Sequence, residues 1–180
     1  ILAKGVGKDY NWQLLQDFIT EGRTPNVSGE EISNEILLST YLANRLHLKI
    51  GDHCHAIFLK DEDSQTPNQR SFKIVGLYNS GFQEFDASYV FTDIRQIQKM
   101  NKWQQDEVGN FELFINDFDR IEDVGYKVYG AVGSFLDAQT IIQKFPFIFE
   151  WVGMFDFNIY LIIGIMIIVG GFNMITAILV

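Results

Sequence analysis

The sequence predicts an α+β fold followed by a transmembrane helix. Short apolar or alternating segments, bounded by turn residues, interleave with helical segments in no regular repeat, which is typical of α+β domains. The segment from Phe157 to Val180 contains no Asp, Glu, Lys, Arg or His, so all 14 basic and 23 acidic residues lie in residues 1–156. Those residues are enough for one domain of ordinary size or two small lobes.

The N-terminal residues are expected to form a strand, a helix and a loop. Residues 1–6 (ILAKGV) have the composition of a short strand. Asn11 is expected to begin a helix that ends at Gly22. The apolar face of that helix comprises Trp12, Leu15, Phe18 and Ile19.

The next predicted elements are a strand over Glu35–Ser39 and a helix over residues 40–48, with the Ser39 side chain as the N-cap. A turn at Gly51 and Asp52 leads into a strand from His53 to Leu59. A further strand covers Ser71–Tyr78, so the polar residues between the two strands join them as a hairpin.

The later soluble residues are predicted to contain two more strands and two helices. One strand covers residues 88–92, and Asp93 with Gln96 forms a capping box for the helix that follows. Residues 111–115 (FELFI) alternate as a half-buried strand. A helix is then marked by Ile121, Val124 and Val128. Pro146 is expected to kink the apolar stretch that leads to the C-terminal segment.

The C-terminal segment is long enough to cross a membrane. A helix of residues 157–180 spans roughly 36 Å, against about 30 Å for the hydrocarbon core of a bilayer. Trp151 and Tyr160 lie at one end, where aromatic rings favour the membrane–water interface. The alternative is a central helix of a soluble protein. Such helices are seldom this long without a charged residue, because one face must meet water. Glu150 and Asp156 flank the segment, so this flank is expected to be external.

Small residues in this segment are candidates for helix packing. Gly164 and Gly171 share one helix face, as do Gly170 and Ala177, and such residues let a second helix approach closely. Asn173 could add an interhelical hydrogen bond. Alternatively, these glycines are simply tolerated in a lipid-facing helix. The apolar segment is C-terminal and too long to be a signal peptide, and the sequence lacks an initiator Met, so a fragment of a larger membrane protein is expected.

The composition excludes several classes of function. A net charge of −9 disfavours nucleic acid as a partner. The sequence has no nucleotide-binding loop, no G-x-S-x-G elbow and no H-E-x-x-H pair. His53-Cys54-His55 is the one metal-like cluster, but on a strand the two imidazoles face away from Cys54, and two ligands do not complete a zinc site. We therefore expect no catalytic, cofactor-binding or metal-binding residues, and no enzyme.

Three segments in order carry a resemblance to a known family. They are ILLSTYLANRLHLKIGD (36–52), RSFKIVGLYNSGFQEFDASYVFTDIRQIQKM (70–100) and GGFNMITAILV (170–180). Together they resemble the lipoprotein-releasing, Lol-type permeases of ABC transporters, within the larger group of MacB-like and FtsX-like permeases. No single segment is diagnostic, and their order carries the resemblance.

The resemblance implies a two-lobed periplasmic domain over residues 1–150 and a transmembrane helix over residues 151–180. A porter-like α/β lobe would use residues 1–32 and 104–150, and a small β-rich lobe over residues 33–103 would be inserted in it. The implied protein is an inner-membrane permease with four transmembrane helices and no active site. Its implied partners are a cytoplasmic ABC ATPase, a second permease copy or paralogue, membrane lipid and a periplasmic lipoprotein carrier.

The family also implies that a projecting hairpin between the predicted strands His53–Leu59 and Ser71–Tyr78 docks the carrier. Here the loop is short and polar, with Pro67 to stiffen its tip, and a solvated turn without a partner is the alternative. Its residues are Asp61, Glu62, Asp63, Ser64, Gln65, Thr66, Pro67, Asn68, Gln69 and Arg70. A membrane-anchored extracytoplasmic sensor domain is the competing function for the whole chain.

Overall fold

The computed structural model describes residues 1–58, 68–133 and 135–179, and these fall into two compact units. The first unit is Ile1–Phe111 and the second is Glu112–Val180. A mixed sheet and short helices make up the first unit, and a long apolar helix ends the second. The α+β class and the C-terminal apolar helix are therefore confirmed.

One mixed sheet organises the first unit. Its strands are β1 (Leu2–Val6), β2 (Ile19–Gly22), β3 (Glu35–Ser39), β4 (His53–Phe58), β5 (Asn68–Tyr78) and β6 (Tyr89–Asp93). The spatial order is β1-β6-β3-β5-β2, and β4 pairs with the beginning of β5. The β1–β6 and β3–β5 pairs are parallel, and the β6–β3, β5–β2 and β5–β4 pairs are antiparallel.

Four short helices accompany the sheet. They are α1 (Gln13–Gln16), α2 (Thr40–Leu46), α3 (Gln83–Ser88) and α4 (Ile94–Asn101). Ser39 caps α2 as predicted, because its Oγ accepts a hydrogen bond from the Leu42 N–H at 3.1 Å. The same hydroxyl donates to the backbone carbonyl of Asp86, which ties α2 to α3.

Alternation along the strands places a hydrophobic core on each face of the sheet. Ile36 and Leu38 of β3 belong to the core on one face, with Phe72 and Leu42. Leu37, between them in sequence, belongs to the core on the other face. That second core also contains Val6, Leu15, Val27, Tyr78 and Phe91, with Tyr10, Trp12 and Phe85 packed against it. Because both faces are covered, the middle of β3 is a continuous apolar run, Ile36, Leu37 and Leu38, instead of alternating with polar residues.

The second unit has three helices and a 3₁₀ turn over Phe118–Arg120. The helices are α5 (Ile121–Ala131), α6 (Ile141–Lys144) and α7 (Pro146–Leu179). Phe118 stacks on Phe149 with ring centroids 5.8 Å apart, which joins the 3₁₀ turn to the first part of α7. Thr140 and Gln143 form a capping box at the start of α6. None of the described residues of α5, α6 or α7 is buried.

Two N-terminal predictions were wrong. The helix expected from Asn11 to Gly22 is reduced to α1, and residues 19–22 form strand β2. Pairing of Ile19 with Tyr78 and of Gly22 with Gly76 accounts for the difference, because tertiary pairing outweighs a weak helical pattern. Only Leu15 of the expected apolar face is buried in α1.

Two predictions near the C-terminal helix were also wrong. Residues 111–115 are not a strand, and Phe111, Leu113 and Phe114 are exposed. Within the described residues they have no strand to pair with, and an isolated strand is not stable in water. Pro146 does not kink a helix but begins α7, at the position where its missing N–H has no intrahelical partner to lose.

The expected boundary between two lobes near residue 33 has no counterpart in the sheet. Strand β1, from residues 1–32, pairs with β6 along its whole length, and β2 pairs with β5. Residues 1–32 and 33–103 therefore share one sheet within the first unit. The division into a porter-like lobe and an inserted lobe stays a prediction.

Candidate membrane helix and docking hairpin

Helix α7 is the feature of this chain that most restricts its function. Its 34 residues correspond to about 51 Å of helix, well beyond the hydrocarbon thickness of a bilayer. In the described part of the chain, α7 is the one helix that is both long enough and apolar enough to cross a membrane. It begins at Pro146, five residues before the predicted start at 151.

Three aromatic side chains, Phe147, Trp151 and Phe155, follow one another along the first part of α7, and we call them the aromatic ladder. Of these, only Trp151 was singled out from the sequence. The ring of Trp151 lies 6.2 Å from that of Phe147 and 6.1 Å from that of Phe155. All three rings are at least half exposed. The four-residue spacing of these aromatic residues was the signal that could have revealed the ladder, because residues four apart lie on one helix face.

The predicted helix-packing residues lie on α7, but the structure brings none of them against another element. A Cβ built on Gly164, Gly170 or Gly171 would meet nothing within 4 Å. Asn173 and Ala177 are exposed. Gly164 and Gly171 share a face that points away from Trp151, by the periodicity of about 3.6 residues per turn. Their role in packing stays a prediction.

The predicted docking loop is described only at its base. The β4–β5 hairpin extends to the pair Phe58 and Asn68, whereas Asp61, Glu62, Asp63, Ser64, Gln65, Thr66 and Pro67 lie outside the described residues. Gln69 is exposed and pairs with Ile57, which is also exposed. Arg70 pairs with Ala56 and is half-buried. Its Nε atom is buried without a hydrogen-bond partner among the described residues.

The two imidazoles of the hairpin lie apart from the single thiol, as the strand alternation predicted. His53 and His55 are exposed on one face of β4, and Cys54 is half-buried on the other, against the core that contains Phe72. Burial raises the pKa of the Cys54 thiol, so the reactive thiolate is disfavoured. In the described part of the chain, no group of three or more His, Cys, Asp or Glu residues could hold a metal ion.

The densest polar cluster, which the sequence analysis missed, surrounds Arg95 at the start of α4. Its Nη1 donates to the backbone carbonyls of Gly29 and Glu30 at 2.9 and 3.0 Å, and its Nη2 donates to that of Glu31 at 2.9 Å. The same guanidinium donates to the Asp93 carboxylate, with an Nη2–Oδ2 distance of 2.6 Å. Arg95 therefore holds the acidic loop around residue 30 against the end of β6.

The Asp93 carboxylate is ionised in spite of being almost inaccessible to water. Burial by itself would raise its pKa, but hydrogen bonds from the Arg95 side chain, the Ser33 N–H and the Arg95 N–H outweigh burial and hold the pKa below its ordinary value. Asp93 caps α4 as predicted. The predicted capping box does not form: the Asp93 carboxylate accepts from the Arg95 N–H and not from the Gln96 N–H, and the Gln96 side-chain amide donates to the Ser33 carbonyl and to Asn34 Oδ1.

A second ion pair holds the segment before β3. The Arg23 guanidinium donates to both carboxylate oxygens of Glu35, and the Asn26 N–H donates to one of them at 2.8 Å. The hydrogen bond from Arg23 is the main reason that the pKa of Glu35 is lowered. Both ion pairs bind and position backbone groups, so we interpret them as structural.

No protein-family model matches the chain, and no curated protein matches it either.

Proposed function

We propose that this chain belongs to a non-catalytic permease subunit of an ABC transporter, with α7 crossing the inner membrane and residues 1–145 in the periplasm. The observation that carries the proposal is α7 itself, a 34-residue apolar helix with no buried residue, in a chain whose first unit is α+β. The order of the three family-like segments supports the transporter assignment. The printed sequence has no nucleotide-binding loop, so ATP hydrolysis is assigned to a separate subunit.

The proposed mechanism is mechanical. Because α7 is one continuous helix, a movement of its membrane-spanning part also moves the residues before Asp156. Phe149 stacks on Phe118 there, within the second unit, and passes the movement to the 3₁₀ turn and α5. The periplasmic residues would then act on a lipoprotein, with ATP binding in the partner subunit as the source of energy.

Replacing Phe149 in the complete transporter tests this coupling. Phe149→Ala removes the stack on Phe118, and we expect lipoprotein release to fall severalfold while α7 still inserts and the ATPase subunit still hydrolyses ATP. Met154→Ala is the matched control, because Met154 is 60% exposed on the same helix. Unchanged release in Phe149→Ala membranes would refute the coupling step.

The gene itself distinguishes the permease from the competing sensor. A permease with four transmembrane helices requires two further long apolar segments encoded after Val180. A histidine-kinase or cyclase domain there would instead support a membrane-anchored sensor.

Protease added to intact spheroplasts should digest residues 1–145 and leave α7 protected, and protection of residues 1–145 would contradict the proposed orientation.

A further inference from the structure

A cavity lies within the second unit, between α5 and the segment that leads into α6. Its volume is about 440 Å³, within the range of sites that bind small molecules. One side comes from residues of α5 at spacings of three and four, which therefore share one helix face. They are Glu122, Gly125, Tyr126 and Tyr129. The other side comes from residues between 137 and 143.

The lining of this cavity is held in place by contacts of its own. A Cβ on Gly125 would lie 2.5 Å from Thr140 Cγ2, so α5 and Thr140 already touch there. The Thr140 N–H donates to Gln143 Oε1 at 3.0 Å, and the Gln143 N–H donates to Thr140 Oγ1 at 3.2 Å. The Gln139 amide donates to Asp137 Oδ2 at 3.2 Å. A lining that is ordered in advance lowers the entropic cost of binding a ligand.

The charge of the cavity is negative. Glu122 and Asp137 contribute two carboxylates, and none of the described residues that line the cavity is Lys, Arg or His. On α5, Lys127 lies at least about 100° around the helix from each of the four lining residues. On α6, the Lys144 ammonium lies 5.9 Å from the centre of the Phe145 ring. Neither helix therefore places a positive charge in the cavity.

The cavity also presents two aromatic rings. Tyr126 is 75% exposed and Tyr129 is 61% exposed. Within the residues that the structure describes, the side chains of Glu122, Tyr126 and Tyr129 make no hydrogen bond, ion pair or ring contact. The face of a tyrosine ring attracts a cation that lies within about 6 Å of its centre. Aromatic faces beside carboxylates are therefore suited to a ligand that is both positively charged and partly apolar.

We propose that this cavity binds the ammonium group of an organic cation. The carboxylates of Glu122 and Asp137 compensate its charge, and the rings of Tyr126 and Tyr129 contact its carbon atoms. A bare metal ion fits less well, because no group of three or more His, Cys, Asp or Glu in the described part of the chain could hold one. The inference goes beyond the permease function and does not require α7 to cross a membrane, because α5 and residues 137–143 form the whole cavity.

Binding of choline to the full chain in maltoside micelles, measured by calorimetry, tests the proposal. The comparison ligand is 3,3-dimethylbutan-1-ol, which has the shape of choline without the charge. Maltosides carry no ammonium group, so the detergent does not compete. We expect choline to bind at least about tenfold more tightly than the neutral alcohol. Equal binding of the two ligands, or no binding of choline, would overturn the proposal.

Substitutions on α5 locate the binding site. Glu122→Gln and Tyr126→Leu should each weaken choline binding by roughly five- to thirtyfold. Asp123→Asn is the matched control, because it removes the same charge one residue away without lining the cavity. All three side chains are exposed, so the fold is expected to be retained, and circular dichroism checks this. If Asp123→Asn weakened binding as much as Glu122→Gln, or if neither Glu122→Gln nor Tyr126→Leu weakened it, the cavity would not be the site.

The ammonium group has two sources, a soluble amine or the headgroup of a phospholipid. Choline binding to the chain in phosphatidylcholine vesicles distinguishes them. If the headgroup occupies the cavity, choline should bind more weakly in these vesicles than in maltoside micelles, because the lipid competes for the same site. Equal affinity in the two environments would assign the cavity to a soluble amine.

Discussion

At the scale of single residues, Arg95 has the largest predicted effect on stability. Its guanidinium donates to four backbone carbonyls of the loop around residue 30 and neutralises Asp93, whose side chain is 1% exposed. Loss of the guanidinium leaves a buried carboxylate without its partner. Such losses are expensive because the charge can no longer be compensated by water.

Arg95→Ala should lower the free energy of unfolding of the first unit by about 2–4 kcal/mol. Urea denaturation of the chain in detergent micelles, followed by circular dichroism, measures this. Lys99→Ala is the control, because it removes an exposed positive charge from the same helix. Equal stability of the two variants would show that the Arg95 cluster adds nothing to folding.

Asp93 also predicts how stability depends on pH. Its folded pKa lies below its ordinary value of 3.8, so the unfolded state binds the proton more readily. The stabilisation is therefore complete above about pH 5 and is lost as pH falls below the ordinary value toward the lowered one. Glu35, whose pKa is also lowered, contributes in the same direction.

Urea denaturation at a series of pH values from 7 to 2 should show this loss as a fall in the free energy of unfolding. Asp93→Asn should make that fall less steep at the acidic end. A slope that is unchanged by Asp93→Asn would assign the acid sensitivity to other carboxylates.

At the scale of elements, strands β2 and β5 lie close together at a pair of glycines. Gly22 has a φ of +76° and pairs with Gly76 in the sheet. A Cβ on Gly76 would lie 2.2 Å from the Arg23 carbonyl oxygen and 2.9 Å from Leu37 Cδ1. Since the nearer atom belongs to backbone, the strands must separate to admit a methyl group.

Gly76→Ala should therefore destabilise the first unit by about 2 kcal/mol or more, through overpacking that the backbone cannot relieve. Thermal unfolding in detergent micelles measures the effect. Gly29→Ala is the matched control, because its Cβ would be 3.9 Å from the nearest atom, the Glu31 carbonyl oxygen. If Gly76→Ala unfolded at the same temperature as the unsubstituted chain, the close packing of backbone around Gly76 would be contradicted.

At the scale of the whole molecule, α7 determines how the chain behaves in water. Every large apolar side chain from Phe157 to Leu179 is close to half exposed or more, a patch far larger than a soluble monomer presents. The full chain should need detergent or lipid. Residues 1–145 should stay in solution as a monomer, because the sheet of the first unit buries its own cores.

Flotation on a sucrose gradient with phosphatidylcholine vesicles measures the difference. The full chain should float, and the chain cut before Pro146 should remain at the bottom. A full chain that is monomeric in plain buffer, by light scattering, would contradict a membrane-spanning α7.

Local chemistry was sufficient for several elements that carry a strong signal of their own. The strand Glu35–Ser39, the Ser39 cap and the apolar C-terminal helix were all predicted correctly, because apolar runs, a cap residue and an absence of charge act within a few residues. The separation of His53 and His55 from Cys54 followed from strand alternation in the same way.

Only the tertiary structure decided the features that depend on residues far apart in the chain. Residues 19–22 became a strand because β5 offers a partner nearly 60 residues later, and residues 111–115, with no described strand as partner, did not. Arg95 reaches carbonyls more than 60 residues before it, which no local pattern announces. Sequence periodicity reports which face of an element is apolar, whereas pairing and side-chain reach depend on which elements become neighbours, and this is fixed only when the whole sheet assembles.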